Sequence, residues 1–418
     1  MISLIEAHNY RCLRYIRQPL DRFHVLVGPN ASGKTTFLDV VSFLSDLVSG
    51  DLDRAVGLRT QNFTDLVWGR NGSSFELALE ATFPDDVRQR LAVPKYDTVR
   101  YEVGISLDVD ANETLIHAER GWLKVGSTSL DAQRSLFPDP DEPPDSIVSQ
   151  PKPAKMRALF SKTLGGNDNF YAEAHPKEGR WAPAYKLGPR KSTLGNLPED
   201  EVNFPASTWF KQFISGGVES IVLNSLHIRK ASPPGQGSGF KPDGSNLPWV
   251  VHDLLNDAPE RSHDWIAHLN SALPDLENVT TLLREDDRHR YLELAYRGGL
   301  RIPSWMASDG TLRLMALTLP AYLEGLKGAY LIEEPENGIH PKAVETMFDS
   351  LSNVYSAQVL MATHSPVILG IAEPRHVLCF AKSESGATDI VRGDLHPQLR
   401  DWHGEVDLGT LFASGVLG

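Results

Sequence analysis

Two glycines bracket four residues in Gly28-Pro29-Asn30-Ala31-Ser32-Gly33, and Lys34, Thr35 and Thr36 follow. That spacing lets the backbone curl until its N–H groups converge on phosphate oxygens, and the next helix adds the positive end of its dipole. Lys34 then reaches the β- and γ-phosphates of a nucleoside triphosphate, and the Thr35 hydroxyl ligates Mg²⁺. A second cluster, Glu333-Glu334-Pro335-Glu336, ends an apolar run and offers two acids for two tasks. Glu333 holds Mg²⁺ through water, while Glu334 orients or deprotonates the attacking water. His364 ends another apolar run, Val359 to Ala362, and reaches the γ-phosphate from the strand's C-terminal edge. Ser308-Asp309-Gly310-Thr311 opens an apolar helix, where free N–H groups and a serine hydroxyl make a second phosphate-binding element. Read alone, Ser308-Asp309 is a helix N-cap.

These residues need strands that end at one edge and helices that begin there. Phe23 to Val27 predicts a strand feeding the glycine loop, and Phe37, Leu38, Val41, Leu44 and Val48 recur at helical spacing until Gly50. Residues 1–27 read as two strands in all, and Phe75 to Trp122 as short alternating strands of an antiparallel sheet. Trp209 to Ile214 reads as a helix, Ser220 to Ile228 as a buried strand, and Leu312 to Leu326 as one apolar helix. Two strand–helix units close the pattern: Ala329 to Ile332 with a helix from Pro341, and Val359 to Ala362 with a helix from Pro366. Strands alternating with helices behind a phosphate loop imply an α/β fold with a mainly parallel sheet and right-handed crossovers.

At 418 residues the chain exceeds the size at which one core stops growing, so two lobes or a large insertion are expected. The expected boundaries are 1–122 for a first lobe, 123–215 for a loop-rich insertion with helical content, and 216–418 for a second lobe with a C-terminal tail. No apolar run approaches the roughly 18 residues that span a bilayer, and Met1 to His8 has no leader pattern. Cys12 and Cys379 form no metal-ligand spacing and fit a reducing, cytoplasmic setting. A formal charge of −13 disfavours nucleic-acid binding by the whole surface. Basic residues gather at 151–195, where Lys152, Lys155, Arg157, Lys162, Lys177, Arg180, Lys186, Arg190 and Lys191 alternate with Phe160, Phe170, Tyr171, Trp181 and Tyr185. Such a stretch is either a solvated insertion, the reading composition favours, or a polyanion surface. Residues 136–153 are too acidic and Pro-rich to pack and read as a loop.

The combination resembles the ABC-type ATPases of the SMC/RecF/OLD group, P-loop NTPases also grouped with AAA-family ATPases. By that resemblance the Walker A loop is Gly28 to Thr35, the signature is Ser308 to Thr311, Walker B is Leu331 to Glu334, the D-loop is Glu336 to Pro341, and His364 is the switch histidine. The resemblance also places Arg11, in Asn9-Tyr10-Arg11, among the nucleotide-binding residues. Two departures stand out: Glu333 occupies the Walker B aspartate position, and Asp309 stands where transporters have glycine. Gln61 is the one candidate for a Q-loop residue. The resemblance implies an ATP- and Mg²⁺-dependent hydrolase whose heads dimerise, with Ser308 to Thr311 acting in trans. It further implies a DNA-linked task, anti-phage defence or DNA repair, exerted on a separate effector such as a nuclease, with DNA a further partner and no membrane attachment. Two rivals remain. A transporter nucleotide-binding subunit is disfavoured because 274 residues separate Lys34 from Ser308, and an ATP-dependent scaffold without turnover is separated only by assay.

Overall fold

The computed structural model describes residues 1–126, 135–149, 155–174, 183–237, 239–399 and 407–415. These fall into two units: Met1–Val218 with the segment beginning at Pro374, and Glu219–Glu373 with the segment 407–415.

In the first unit, strands β1 (Ile2–Tyr10), β2 (Leu13–Pro19), β3 (Phe23–Val27), β4 (Ser74–Thr82), β5 (Thr98–Asp108), β6 (Glu113–Lys124), β7 (Arg157–Thr163), β8 (Asp168–Phe170) and β9 (Ala184–Tyr185) follow in order. All but β3 join one antiparallel sheet in the order β2-β1-β4-β5-β6-β7-β8-β9. Residues 1–27 thus hold three strands rather than two. The polar run Arg14-Tyr15-Ile16-Arg17 hides β2, whose pairing sets Arg17 opposite Glu6 and Tyr15 opposite His8 on β1.

Alternation along the strands gives this sheet two unlike faces. Ile5, Ala7, Leu77, Leu79, Tyr101 and Val103 share one face in cross-strand register. Here Tyr10, Phe43 and Phe75 meet edge-on, and Tyr101 packs on Phe210. Phe43 belongs to the helix Lys34–Ser49 and Phe210 to the helix Pro205–Gly216. Burial of the glycine-loop helix is therefore shared with the sheet. The other face carries buried charge. The Arg100 guanidinium lies 2.8 Å from Glu6, 3.2 Å from Glu80 and 2.6 Å from Glu102.

Part of the acidic, Pro-rich stretch covers that charged face, contrary to the expectation that it cannot pack. Glu76 accepts the Ile147 N–H at 2.7 Å and the Ser146 hydroxyl at 2.8 Å, and Glu102 accepts the Ser149 N–H at 2.8 Å. The segment has no regular structure, but carboxylates on the sheet satisfy its backbone.

The basic stretch also differs from its composition. Residues 157–163 and 168–170 extend the antiparallel sheet, and Phe160 and Phe170 are core residues at 0% exposure. Lys162 is buried and pairs with Asp168 at 2.6 Å, and Arg190 pairs with Asp53 at 2.8 Å. Lys152, Lys177, Arg180 and Trp181 lie outside the described residues. Phe160 and Phe170 therefore belong to the core and offer no stacking surface, while Tyr185 is exposed.

Glu173 caps the helix Pro205–Gly216 from a distant segment, accepting the Ala206 N–H at 2.6 Å and the Ser207 hydroxyl at 2.5 Å. Burial pushes its carboxyl up to about 7 against those bonds. A raised native value means that its stabilising contribution is complete below the unfolded value of 4.5 and is lost as pH rises through about 7. Wild type should therefore lose up to roughly 3 kcal/mol relative to Glu173→Gln between pH 4.5 and 8. Denaturant unfolding at several pH values checks this; parallel pH profiles of the two proteins would exclude it.

In the second unit, the strand Ala329–Glu333 runs parallel to Gln358–Ala362, and Leu276–Leu283, Arg290–Tyr296 and Leu300–Pro303 form an antiparallel sheet. The expected strand Ser220 to Ile228 is a short strand, Val218–Ile221, followed by a helical turn, Ser225–Ile228, capped by Asn224. The apolar helix is Asp309–Thr318, passing into a 3₁₀ turn at Leu319–Tyr322. Pro320 lacks the N–H needed to continue the helix.

Candidate functional site

The phosphate loop is a strand-to-helix turn. β3 is buried along its length and pairs in parallel with the strand Val377–Lys382. The helix Lys34–Ser49 begins at Gly33, whose φ of 110° is a left-handed conformation that disfavours a side chain. A methyl group there would also strike Thr388, whose hydroxyl donates to the Ser32 carbonyl at 2.9 Å. The first helical turn holds no acidic residue and no side-chain cap, so its N–H groups are presented to an anion. Pro29, Asn30 and Ala31 are exposed, while Ser32, Gly33 and Lys34 are buried. The Lys34 ammonium donates to the carbonyls of Gly28 at 2.7 Å and Pro29 at 3.0 Å. The Ser32 hydroxyl is buried with no hydrogen-bond partner, a deficit that a phosphate oxygen would relieve.

Arg11 lies at the tip of the β1–β2 hairpin and pairs with Asp39 at 3.2 Å. Asp39 also accepts the Tyr10 hydroxyl at 2.6 Å and pairs with Arg59 at 2.7 Å. This network ties the hairpin to the loop helix one turn beyond Thr35. Thr36 is within 3.4 Å of the Cys12 thiol, and Gln61 is exposed.

In the second unit, Glu333 and Glu334 are exposed at the end of their strand. Glu334 has φ 46°, its N–H donates to the Ala362 carbonyl at 2.8 Å, and its carboxylate accepts the Asn337 side-chain amide. His364 leaves the neighbouring strand end and is half-buried. Ser308 caps the helix Asp309–Thr318, accepting the Thr311 N–H at 3.1 Å, and its oxygen is 2.7 Å from the Thr311 hydroxyl. Asp309 is held aside: its carboxylate accepts the Ser225 hydroxyl at 2.7 Å and lies 3.6 Å from Arg229. Those partners offset the negative charge that would otherwise oppose a phosphate at this helix end.

Gly310 brings the start of the helix Asp309–Thr318 against the turn at Gly338. A methyl at 310 would stand 2.5 Å from the Gly338 carbonyl oxygen. Gly310→Ala is therefore expected to displace that turn and cost about 1–3 kcal/mol, read by denaturant unfolding, with slower ATP turnover. An unchanged midpoint and rate would mean that the turn yields freely.

The structure thus gathers Gly28 to Thr36 and Arg11 in one unit, and Ser308 to Thr311, Glu333, Glu334 and His364 in the other. Residues not foreseen are Thr388 beneath the glycine loop and Asp39 behind Arg11; Glu336 and Asn337 belong to the expected D-loop stretch, but their partners were not foreseen. Asp39 was legible as the acid one helical turn past Thr35; Thr388, over 350 positions away, gave no signal. Among the described residues no group of three or more His, Cys, Asp or Glu forms a metal cage. Thr35 in one unit and Glu333 in the other are each an oxygen donor of the kind Mg²⁺ takes.

A phosphate loop at a parallel strand, a strand ending in two acids, and a second N-capped helix terminus define a nucleotide-binding ATPase of the P-loop class. The chain belongs to the family described as "AAA domain, putative AbiEii toxin, Type IV TA system", whose model matches residues 23–370. Its fold resembles the structure titled "Crystal structure of the SmcHead bound to the C-winged helix domain of ScpA", with TM-score 0.53 and 14% identity over 93% of this chain and 97% of that one. The Smc head domain of Pyrococcus furiosus, with an extended coiled coil and bound to the C-terminal domain of ScpA, gives TM-score 0.49 and 12% identity over 93% and 95%. A stretch of 52 residues, 12% of this chain, is 42% identical to the OLD nuclease of Thermus scotoductus (strain ATCC 700910 / SA-01) and spans 9% of that protein.

Proposed function

We propose that this protein binds ATP with Mg²⁺ and hydrolyses it, that two copies close around the nucleotide, and that the cycle controls a separate effector. The observation that carries the first part is the phosphate loop: a helix terminus with no side-chain cap, a buried Lys34 ammonium that donates to the Gly28 and Pro29 carbonyls, and a buried Ser32 hydroxyl with no hydrogen-bond partner. ATP is the anion this loop geometry fits, and Mg²⁺ would offset charge on its phosphates, with Thr35 and Glu333 as the candidate ligands. Lys34 binds and orients the phosphates, Glu334 takes the proton of the attacking water, and His364 contacts the γ-phosphate.

The similarity to an Smc head and to part of an OLD nuclease supports a DNA-linked process, anti-phage defence or DNA repair, with a nuclease as effector and DNA as a further partner. No described helix is long and apolar enough to cross a membrane. Phosphate release from ATP by the purified chain, with Mg²⁺ or with a chelator, tests the reading. Release that the chelator abolishes is expected. ATP binding without release would favour the scaffold.

A further inference from the structure

The turn after the strand-end acids holds a carboxylate to which hydrolysis assigns no task. Glu336 Oε1 accepts the Thr363 hydroxyl at 2.5 Å and the His364 backbone N–H at 3.2 Å. Thr363 Oγ1 in turn accepts the Ser365 N–H at 2.9 Å, and Thr363 is 0% exposed. Thr363 and His364 are thus held directly by one carboxylate oxygen, and Ser365 by the Thr363 hydroxyl. Glu336 Oε2 is buried with no hydrogen-bond partner.

The imidazole of His364 makes no hydrogen bond among the described residues, so its direction is set by its backbone. That backbone lies where the chain leaves the strand Gln358–Ala362 for the short helix Pro366–Ile371, and neither element's own ladder holds it. A charged acceptor makes shorter and stronger hydrogen bonds than a neutral one. The same turn is tied to the strand end a second time, through the Glu334 N–H on the Ala362 carbonyl at 2.8 Å. Glu334 and His364 are therefore spaced by one hydrogen-bonded unit, and Glu336 is its fastening.

We propose that Glu336 is a positioning residue: it holds the Thr363–His364 backbone so that the imidazole meets the γ-phosphate in register with Glu334. The inference rests on the reading of this chain as an ATPase with His364 at the γ-phosphate. It makes no claim on ATP affinity, which belongs to the phosphate loop.

The test uses the full chain and two readouts, steady-state ATP hydrolysis and hydrogen exchange of the His364 amide. Glu336→Ala should lower kcat about tenfold or more while KM for ATP stays within about threefold, since misplacement of a reacting group costs rate rather than binding. Its His364 amide should exchange at least about tenfold faster, the opening of a lost local bond. Glu336→Gln keeps an acceptor oxygen but loses its charge, and should fall between wild type and Glu336→Ala in both. Thr363→Val should reproduce the Glu336→Ala split and Thr363→Ser should restore it, which covers the case in which Glu336→Ala fails to fold. Faster exchange with unchanged kcat would overturn the proposal, as would lost kcat with unchanged exchange. A wild type that hydrolyses no ATP overturns the ATPase reading instead, and the exchange data still decide whether Glu336 holds His364.

Discussion

Glu334→Gln is expected to bind ATP as the parent chain does and to turn it over about a hundred to ten thousand times more slowly, the range for loss of a general base. The amide keeps the shape of the carboxylate but cannot take a proton. The structure adds a reason to expect normal binding: Glu334 is exposed at the strand end, and its backbone N–H on Ala362 is indifferent to the side chain. Lys34→Ala should behave in the opposite way. It removes the ammonium that now rests on the Gly28 and Pro29 carbonyls and that would move to the phosphates, so binding itself is lost. Fluorescent-nucleotide titration and single-turnover phosphate release separate the two phenotypes. Equal rates in wild type and Glu334→Gln would remove Glu334 from the chemistry.

The parts of this molecule legible in the sequence were those governed by local pattern. The loop from Gly28 to Thr35 shows itself because few other residue types tolerate its turn, and the strand ends at Glu333 and His364 because an apolar run stops abruptly at polar residues. Features governed by pairing at a distance were not legible. β2 was missed because its exposed Arg14 and Arg17 break the apolar pattern while its pairing with β1 holds it in the sheet, and residues 146–149 because their backbone donors are met by Glu76 and Glu102, whose places on the sheet no local window reveals. The basic stretch misled for a related reason. Charge counts do not distinguish an exposed lysine from Lys162, buried against Asp168. Asp309 shows the same limit at the site itself: as sequence it is a departure from a glycine, and as structure it is an acid drawn off by Ser225 and Arg229.

Mixing two inactive chains, Lys34→Ala and Ser308→Arg, should restore ATPase activity. If the nucleotide is held by the phosphate loop of one copy and capped by the signature helix of another, each variant homodimer has two spoiled sites. A heterodimer has one site with both halves intact, so up to about a quarter of wild-type activity should return in an equal mixture if each site turns over independently. The structure supplies the physical grounds for a second phosphate contact at Ser308. Its residue is exposed, its oxygen already serves the Thr311 N–H, and its own proton is free whenever the Thr311 hydroxyl acts as the donor between them. Gly310 keeps that helix end against the D-loop turn, next to the residues that carry Glu334 and His364. A phosphate gripped there would join two copies only while the γ-phosphate remains, and hydrolysis would release them. Subunit exchange must be shown independently, by mass labelling of one variant. With exchange established, a mixture as inactive as its components would mean that Ser308 serves its own chain's nucleotide or none, and the helix Asp309–Thr318 would be left with its N-cap as the serine's whole function.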